Sequence, residues 1–160
     1  PLSVALAVES KTRRILGFTV SQMPAKGKLT HRALKKYGVR RDERGKGWNE
    51  LFSSLKTVVA PNARFLSDSN PHYPKYVQKY FPLAHHETVM GPRGCAAGGQ
   101  GELKRVAFDP MFSLNHTCAM LRANIARLIR RTWCTTKKKE ALADHIAIYA
   151  AFHNQVLLRS

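Results

Sequence analysis

Residues 112–137 constrain the fold of this chain more than any other part of the sequence. Apolar residues recur there at steps of four, three, four and three, which places them on one face of an α-helix. The stripe consists of Leu114, Cys118, Leu121, Ile125 and Leu128. Two polar residues in the same stretch, Asn115 and Arg122, are seven positions apart and would lie on one side, two turns from each other. The pattern predicts one long helix with a buried stripe.

The two ends of this predicted helix carry the usual signals. Ser113 or Asn115 is expected to cap its start, because a side-chain oxygen at that position accepts a backbone N–H of the first turn. Basic residues near its end suit the negative pole of the helix dipole. They are Arg127, Arg130 and Arg131.

The rest of the pattern predicts a mixed α/β domain. Two apolar runs at residues 2–8 and 14–21, separated by a short polar turn, predict an antiparallel hairpin. Further strands are predicted at 63–66 and 83–90, and helices at 49–59, 71–81 and 140–158. The last helix carries a predicted buried stripe of Leu142, Ile146, Tyr149 and Phe152. A chain of 160 residues fits a single domain, here 1–160.

The charge of the chain indicates a polyanionic partner. There are 27 Lys and Arg residues against 10 Asp and Glu, a formal net charge of +17, which favours nucleic acid. Nine of these cations fall in a basic insert at 23–47, predicted to be an exposed arm with one short helix around 31–37. The candidate DNA contacts are Lys26, Lys28, Arg32, Lys35, Lys36, Arg40, Arg41, Arg127, Arg130 and Arg131. A solvated loop is the alternative, and the two interpretations are compatible because such arms often order on binding.

Several other classes of protein are disfavoured. Three cysteines without a CxxC pair fit a reducing compartment, so a cytoplasmic location is expected. Neither a signal-peptide pattern nor an apolar run of about 18 residues is present, which argues against a membrane protein. The glycine-rich stretch at 91–109 matches no nucleotide-binding loop. The seven histidines lack HxxxH and HExxH spacing, so zinc is not expected.

One acidic residue has the context of a metal ligand. The predicted strand at 63–66 leads directly into Ser-Asp-Ser-Asn-Pro, which puts Asp68 at the carboxyl end of a buried strand. Open α/β sheets place ligand-binding groups there, and a carboxylate suits Mg²⁺. The alternative is a turn-forming Asp. Asn115 could bind a metal through its carbonyl oxygen or cap the helix, and Arg122 could hold a phosphate or be solvated.

These residues resemble a known family. The run SDSNPHYP around Asp68, followed by NHTCAMLRANIARLIRRTWCTTK, is similar to the DDE-class transposases of bacterial insertion sequences. The opening LSVALAVESKTRRILGF is similar to the strand pair that follows the first catalytic acid of that family. The resemblance implies a ribonuclease H-like fold, in which helices flank a mixed sheet.

The resemblance also implies an activity and its residues. These enzymes cleave DNA and join it to target DNA with two Mg²⁺ ions. Asp68 matches the second catalytic acid, and Asn115 matches the third ligand of subgroups that carry Asn there. Arg122 matches a basic residue seven positions further on. Asp68 and Asn115 are thereby expected to bind Mg²⁺, and all three to be catalytic.

The sequence departs from the family pattern in one important respect. The first catalytic Asp and the first strand would lie before Pro1, so this chain is expected to bind DNA without cleaving it. Paired DNA ends in transposition suggest a homodimer, a point that the sequence leaves open. Two alternatives remain, a non-catalytic nucleic-acid-binding domain and a ribosome-associated basic protein.

Overall fold

Five α-helices and two small β-sheets make up the described part of the chain, which is therefore mixed α/β. The computed structural model describes residues 1–25, 27–28, 30–90, 109–128 and 138–158. The strands are β1 (Leu2–Val8), β2 (Ile15–Gln22), β3 (Arg64–Ser67) and β4 (His85–Thr88). The helices are α1 (Thr30–Tyr37), α2 (Arg44–Leu55), α3 (Tyr73–Tyr80), α4 (Phe112–Asn124) and α5 (Lys139–Phe152). A 3₁₀ turn (Ala126–Leu128) follows α4, and a π-helical turn (His153–Leu157) follows α5.

The two sheets differ in the direction of their strands. Strands β1 and β2 form the predicted antiparallel hairpin, with Leu2 opposite Gln22. Strands β3 and β4 pair in parallel, with Arg64 opposite His85. Because α3 lies between them in sequence, β3, α3 and β4 form a βαβ unit, the connection that a parallel pair requires.

Apolar residues of the hairpin alternate between two clusters on its opposite faces. Leu2, Val4 and Leu6 pack on the cluster that includes α4 and α5, whereas Ala5 and Ala7 pack on the cluster of α2 and α3. This alternation follows from the two-residue period of a strand. The first cluster is built of Ile15, Val20, Leu121, Ile125, Leu142, Ile146 and Tyr149. The second is built of Trp48, Leu51, Phe52, Leu55, Tyr76, Val77 and Phe81.

Helix α2 begins five residues earlier than predicted, at Arg44 instead of residue 49. The two glycines in its first turn lower helix propensity, which is why the pattern did not reveal this turn. Gly47 is required by packing, because a Cβ atom there would lie 2.0 Å from the Oγ of Ser21 on β2. The absence of a side chain lets the helix approach the strand closely. Residues 44–47, which the sequence assigned to the basic insert at 23–47, therefore form the first turn of α2.

The prediction of one helix over 112–137 is also wrong. Helix α4 ends at Asn124, and Ile125 has extended backbone geometry (φ −111°, ψ 96°) before the 3₁₀ turn. Residues 129–137 lie outside the described part of the chain. The buried face includes Leu121 and Ile125 as predicted, but Thr117 is fully buried while Cys118 is half-buried. The Thr117 hydroxyl donates to the carbonyl of Ser113 at 2.8 Å, which satisfies it in the core.

The last helix buries the first three residues of its predicted stripe, Leu142, Ile146 and Tyr149. Phe152 is 46% exposed, so the fourth assignment is wrong. His153 is buried instead, and its Nε2 lies 3.0 Å from the carbonyl oxygen of Arg13, to which it donates.

The basic insert forms a loop that is closed at its base. The backbone N–H of Glu43 donates to the carbonyl of Gln22, the last residue of β2, at 3.0 Å. Helix α1 lies within this loop and buries none of its residues. The predicted exposed arm with a short helix is thus confirmed over its described residues. Among the described helices, none has the length and apolar content needed to cross a membrane.

Candidate functional site

Asp68 lies immediately after β3, with an exposed side chain. Its Oδ1 accepts the backbone N–H of Asn70 at 3.1 Å, and Oδ1 of Asn70 accepts the N–H of His72 at 3.0 Å. These two successive Asx turns carry the chain from β3 toward α3. Asp68 is thus a turn residue, and its carboxylate is held at the carboxyl end of a parallel strand.

Asn115 lies exposed in the first turn of α4 and does not cap it. Its amide Nδ2 donates to Oδ2 of Asp109 at 2.8 Å, while Oδ1 of Asp109 accepts the N–H of Met111 at 2.8 Å. The helix starts at Phe112, before both residues that were predicted as caps, so that prediction is wrong. Sequence reasoning missed Asp109, although an Asp followed by Pro110 just before an apolar run is a helix-start signal.

Tyr73 links Asp68 to α4. Burial raises the pKa of the Tyr73 phenol, and the neighbouring Asp68 carboxylate and Cys118 thiol raise it further. A hydrogen bond with Asn70 and the charge of Arg44 act in the opposite direction on the same pKa. Asp68 and Tyr73 border one cavity together with Ser113 and Leu114, so the carboxyl end of β3 lies near the start of α4.

Arg122 lies exposed in the last turn of α4 and also interacts with Cys118. Burial raises the pKa of the Cys118 thiol, and the positive charge of Arg122 partly opposes this effect. Asn115, Cys118 and Arg122 are spaced three and four residues apart, so they follow one side of the helix. Cys118 on this side contributes to the raised pKa of Tyr73.

A cavity of about 410 Å³ lies next to Asp68 and the start of α4. Asp68 and Tyr73 border it on one side, and Met111, Ser113 and Leu114 from the start of α4 border it as well. The hydroxyl of Ser113 donates to the carbonyl of Ser10 at 2.6 Å, which ties the helix to the turn between β1 and β2. Asp68, whose side chain is exposed, therefore borders a partly open cavity.

A pair of polar side chains beside Asp68 was not found from the sequence. Oγ of Ser67 lies 2.9 Å from Nε2 of His86 on the neighbouring strand, and it also donates to the carbonyl of Asp68 at 3.1 Å. Because a hydroxyl has one proton, Nε2 is the donor in the first contact. Burial lowers the pKa of His86, and the adjacent His85 lowers it further, so both effects favour the neutral imidazole. The parallel register of β3 and β4 creates this pair, and no sequence motif signals it.

Candidate DNA contacts cluster on α1 and the segment after it. Arg32, Lys35 and Lys36 are exposed on α1. The ring of Tyr37 at the end of this helix lies near two cations, with its centroid 5.6 Å from Nζ of Lys36 and 5.3 Å from Cζ of Arg40. Such contacts hold cations beside an exposed ring while their outer faces stay in water.

The remaining predicted contacts are dispersed. Lys28 and Arg41 are exposed in the insert, and Arg127 is exposed in the 3₁₀ turn after α4. Three further predicted contacts, Lys26, Arg130 and Arg131, lie outside the described residues.

Asp68 and Asn115 provide some of the oxygen atoms that a bound metal cation would need. Asp68 uses Oδ1 in its turn, and Asn115 uses its amide nitrogen, so the Asn115 carbonyl oxygen is not engaged by that contact. Within the described ranges, no group of three or more His, Cys, Asp or Glu residues could hold a metal ion. The described residues therefore do not complete a two-metal centre.

Comparison with known proteins found no matching family model, no similar curated protein and no similar solved structure.

Proposed function

We propose that this chain forms the DNA-contacting part of a DDE-type transposase catalytic domain with a ribonuclease H-like fold. One observation carries the proposal. Asp68, at the carboxyl end of a parallel strand, borders the same cavity as Ser113 and Leu114 at the start of the helix that bears Asn115 and Arg122. The mixed α/β architecture supports the proposal, since a hairpin precedes a βαβ unit and helices pack on both faces of the hairpin. In the described residues the two pairs of strands form separate sheets, whereas the resemblance implies one mixed sheet.

In this proposal, Asp68 and the carbonyl oxygen of Asn115 hold Mg²⁺, and Arg122 binds a phosphate. Carboxylate and amide oxygens are suitable ligands for this ion. When bound, Mg²⁺ would neutralise charge on a phosphate of the substrate. The resemblance matches no residue of this chain to the first catalytic Asp of the family, so we expect no Mg²⁺-dependent strand cleavage by this chain alone. Nicking of supercoiled plasmid DNA that disappears in Asp68→Asn would contradict this expectation.

The experiment tests whether bound DNA lies next to Asp68. It removes the negative charge of this side chain and keeps the turn that the side chain forms with residue 70. Asn also accepts the N–H of residue 70, so Asp68→Asn preserves the fold. In EDTA, we expect its affinity for duplex DNA to rise on the order of fivefold, because like charges about 4 Å apart in water repel by about 1 kcal/mol. Fluorescence anisotropy at low salt measures the change.

Asp144→Asn on α5 is the matched control, since it removes one exposed carboxylate remote in sequence from β3 and α4. We expect this variant to change affinity only through net charge. An equal rise in both variants would show that DNA does not lie at Asp68.

A second candidate is a non-catalytic nucleic-acid-binding domain. The observation that favours it is the Asx turn, because the hydrogen bond from Asn70 gives Asp68 a role without any metal. In that case the surface around α1 would contact nucleic acid, and Asp68→Asn would behave like Asp144→Asn. A preference for ribosomal RNA over duplex DNA in the same assay would instead support a ribosome-associated protein.

A further inference from the structure

Apolar side chains are exposed among the cations of the basic insert. Residues 30–41 contain no acid and five cations, which are Arg32, Lys35, Lys36, Arg40 and Arg41. In the same stretch, Leu34 is 41% exposed, Tyr37 is 42% exposed and Val39 is 87% exposed. Phosphate contacts are made by charged and polar groups. Residues 30–41 therefore offer more than a contact surface for phosphates alone.

The end of α1 brings these groups together. Leu34 and Tyr37 are three positions apart and are neighbours on one side of the helix. The N–H of Gly38 donates to the carbonyl of Leu34 at 2.9 Å, and its φ of 70° is the left-handed geometry of a glycine that ends a helix. After this turn, Arg40 lies beside the ring of Tyr37, and Lys36 lies beside the same ring. An exposed aromatic ring and two cations thus form one local cluster.

The acids that follow this stretch are engaged by cations outside it. Asp42 forms an ion pair with Arg44 at the start of α2, at 2.6 Å. Glu43 lies 3.9 Å from Nζ of Lys139 at the start of α5. Residues 30–41 therefore keep an excess of positive charge, which favours an anionic partner.

The combination of an exposed ring with cations fits nucleic acid whose bases are unpaired. In a duplex, a protein reads the edges of the base pairs from the grooves, because the base faces are stacked on one another. In a single strand, a base can stack on an aromatic ring while its phosphates contact cations. Affinity for an anionic membrane instead grows with the apolar area that a helix buries. Leu34 and Tyr37 are the only large apolar residues among the eight of α1, so its apolar area is small.

We propose that residues 30–41 bind single-stranded nucleic acid, with an unpaired base stacked on the ring of Tyr37 and the adjacent phosphates held by Lys36 and Arg40. This binding mode rests on the proposed nucleic-acid contact through α1 and specifies its substrate class, strands with unpaired bases. Because α1 buries none of its residues, it can adjust to an irregular strand without disturbing either hydrophobic cluster.

The test compares single-stranded and duplex DNA, using the whole chain. The probes are a labelled oligothymidylate of about 15 nucleotides, within the range that single-strand sites occupy, and its duplex with oligodeoxyadenylate. We expect Tyr37→Leu to weaken single-strand binding at least about fivefold in fluorescence anisotropy, because stacking on the ring is lost. The same variant should weaken duplex binding less.

Two further variants separate stacking from other effects. Tyr37→Phe keeps the ring, so it should bind the single strand far more tightly than Tyr37→Leu does. Phe152→Leu removes an exposed ring from α5 and is the matched control, for which we expect little change. Circular dichroism should show the same helix content in all three variants.

Other results would overturn the proposal. Equal losses in Tyr37→Leu and Phe152→Leu, or equal losses for single-stranded and duplex DNA, would show that no base stacks on Tyr37. If Arg32→Gln with Lys36→Gln weakens duplex binding while Tyr37→Leu has no effect on the single strand, stacking fails but the nucleic-acid contact through α1 stands. If neither change has an effect, that contact fails as well. Binding to phosphatidylserine vesicles that depends on Tyr37, without such dependence for oligothymidylate, would assign the surface to lipid.

Discussion

The side-chain amide of Asn154 hydrogen-bonds both backbone groups of Ile15. Its Oδ1 accepts the N–H of Ile15 at 2.9 Å, and its Nδ2 donates to the carbonyl of Ile15 at 2.9 Å. The turn after α5 thereby binds the first residue of β2 in the way that a neighbouring strand would. Asn and Gln are the side chains with both a donor and an acceptor in one planar group.

Replacing this amide should therefore destabilise the fold. Asn154→Leu is nearly equal in size but leaves both backbone groups of the buried Ile15 unsatisfied. We expect a loss of about 1–3 kcal/mol in the free energy of unfolding, measured by urea denaturation. Gln155→Leu, at the exposed neighbouring position, is the control and should change stability little. Equal effects of the two changes would show that the paired hydrogen bonds do not contribute.

Close packing of α2 on β2 gives a second prediction. Gly47→Ala should destabilise the chain by about 1–3 kcal/mol, since the added methyl group would overlap Oγ of Ser21. Gly45→Ala is the matched control in the same helical turn, because its Cβ would lie 3.4 Å from Oη of Tyr76. That change should be neutral or stabilising, as Ala favours the helix. Thermal unfolding followed by circular dichroism measures both.

The overlap at Gly47 also predicts a rescue. Ser21→Ala removes the Oγ atom and leaves the Cβ of residue 21 at 3.4 Å from the new methyl group. Combined with Gly47→Ala, it should recover much of the lost stability. A double variant as unstable as the sum of the two single variants would place the strain elsewhere.

A third prediction concerns pH. In the folded state, burial and the neighbouring His85 lower the pKa of His86. Below about pH 6.5, the imidazole of His86 therefore binds a proton more readily in the unfolded chain than in the folded one. Stability should fall as the pH decreases from 7.5 to 5. His86→Gln keeps a donor for Ser67 but does not titrate, and its loss of stability over this range should be smaller.

The same pH series separates His86 from other groups. Glu87 has a pKa lowered chiefly by its hydrogen bond with Arg64, and its contribution is lost only in more acidic solution. Urea midpoints at pH 7.5 and 5 therefore leave Glu87 ionised. His145→Gln, at an exposed position on α5, is the control. If that variant reduces the pH dependence as much as His86→Gln, burial of His86 is not the cause.

A fourth prediction concerns the salt dependence of DNA binding. Arg32 and Lys36 are four residues apart on α1 and lie on one side of it. Replacing both with Gln should make the slope of log K against log salt shallower by about 1.8, since each phosphate contact contributes about 0.9. Arg14→Gln with Lys56→Gln removes the same charge at exposed positions outside the insert. An equal change of slope in this control would rule out α1 as the contact surface.

The sequence predicted the buried faces better than the boundaries of the elements. Leu121, Ile146 and Tyr149 are buried as their spacing indicated, because periodicity reports directly which side of a helix faces the core. The start of α2 was missed because a glycine is required at position 47 by the close contact with Ser21 on β2. Such a tertiary contact leaves no signal in the local sequence. The break after Asn124 was missed because the run of apolar residues continues through Ile125 and Leu128.

The candidate site could be predicted only in part for a similar reason. The position of Asp68 after a strand follows from local sequence, and the structure places it there. The contact between Asn115 and Asp109 and the pair of Ser67 and His86 depend on where separate segments meet. A single sequence carries no signal for such contacts.

The hydrogen bond between Glu43 and Gln22 has a consequence for folding. It closes the loop that carries α1, so both ends of the loop are held while none of the residues of α1 is buried. Helix α1 can therefore unfold and refold as a unit of its own while β2 and α2 stay in place. Loss of the helical structure of α1 would therefore leave both hydrophobic clusters of the chain intact.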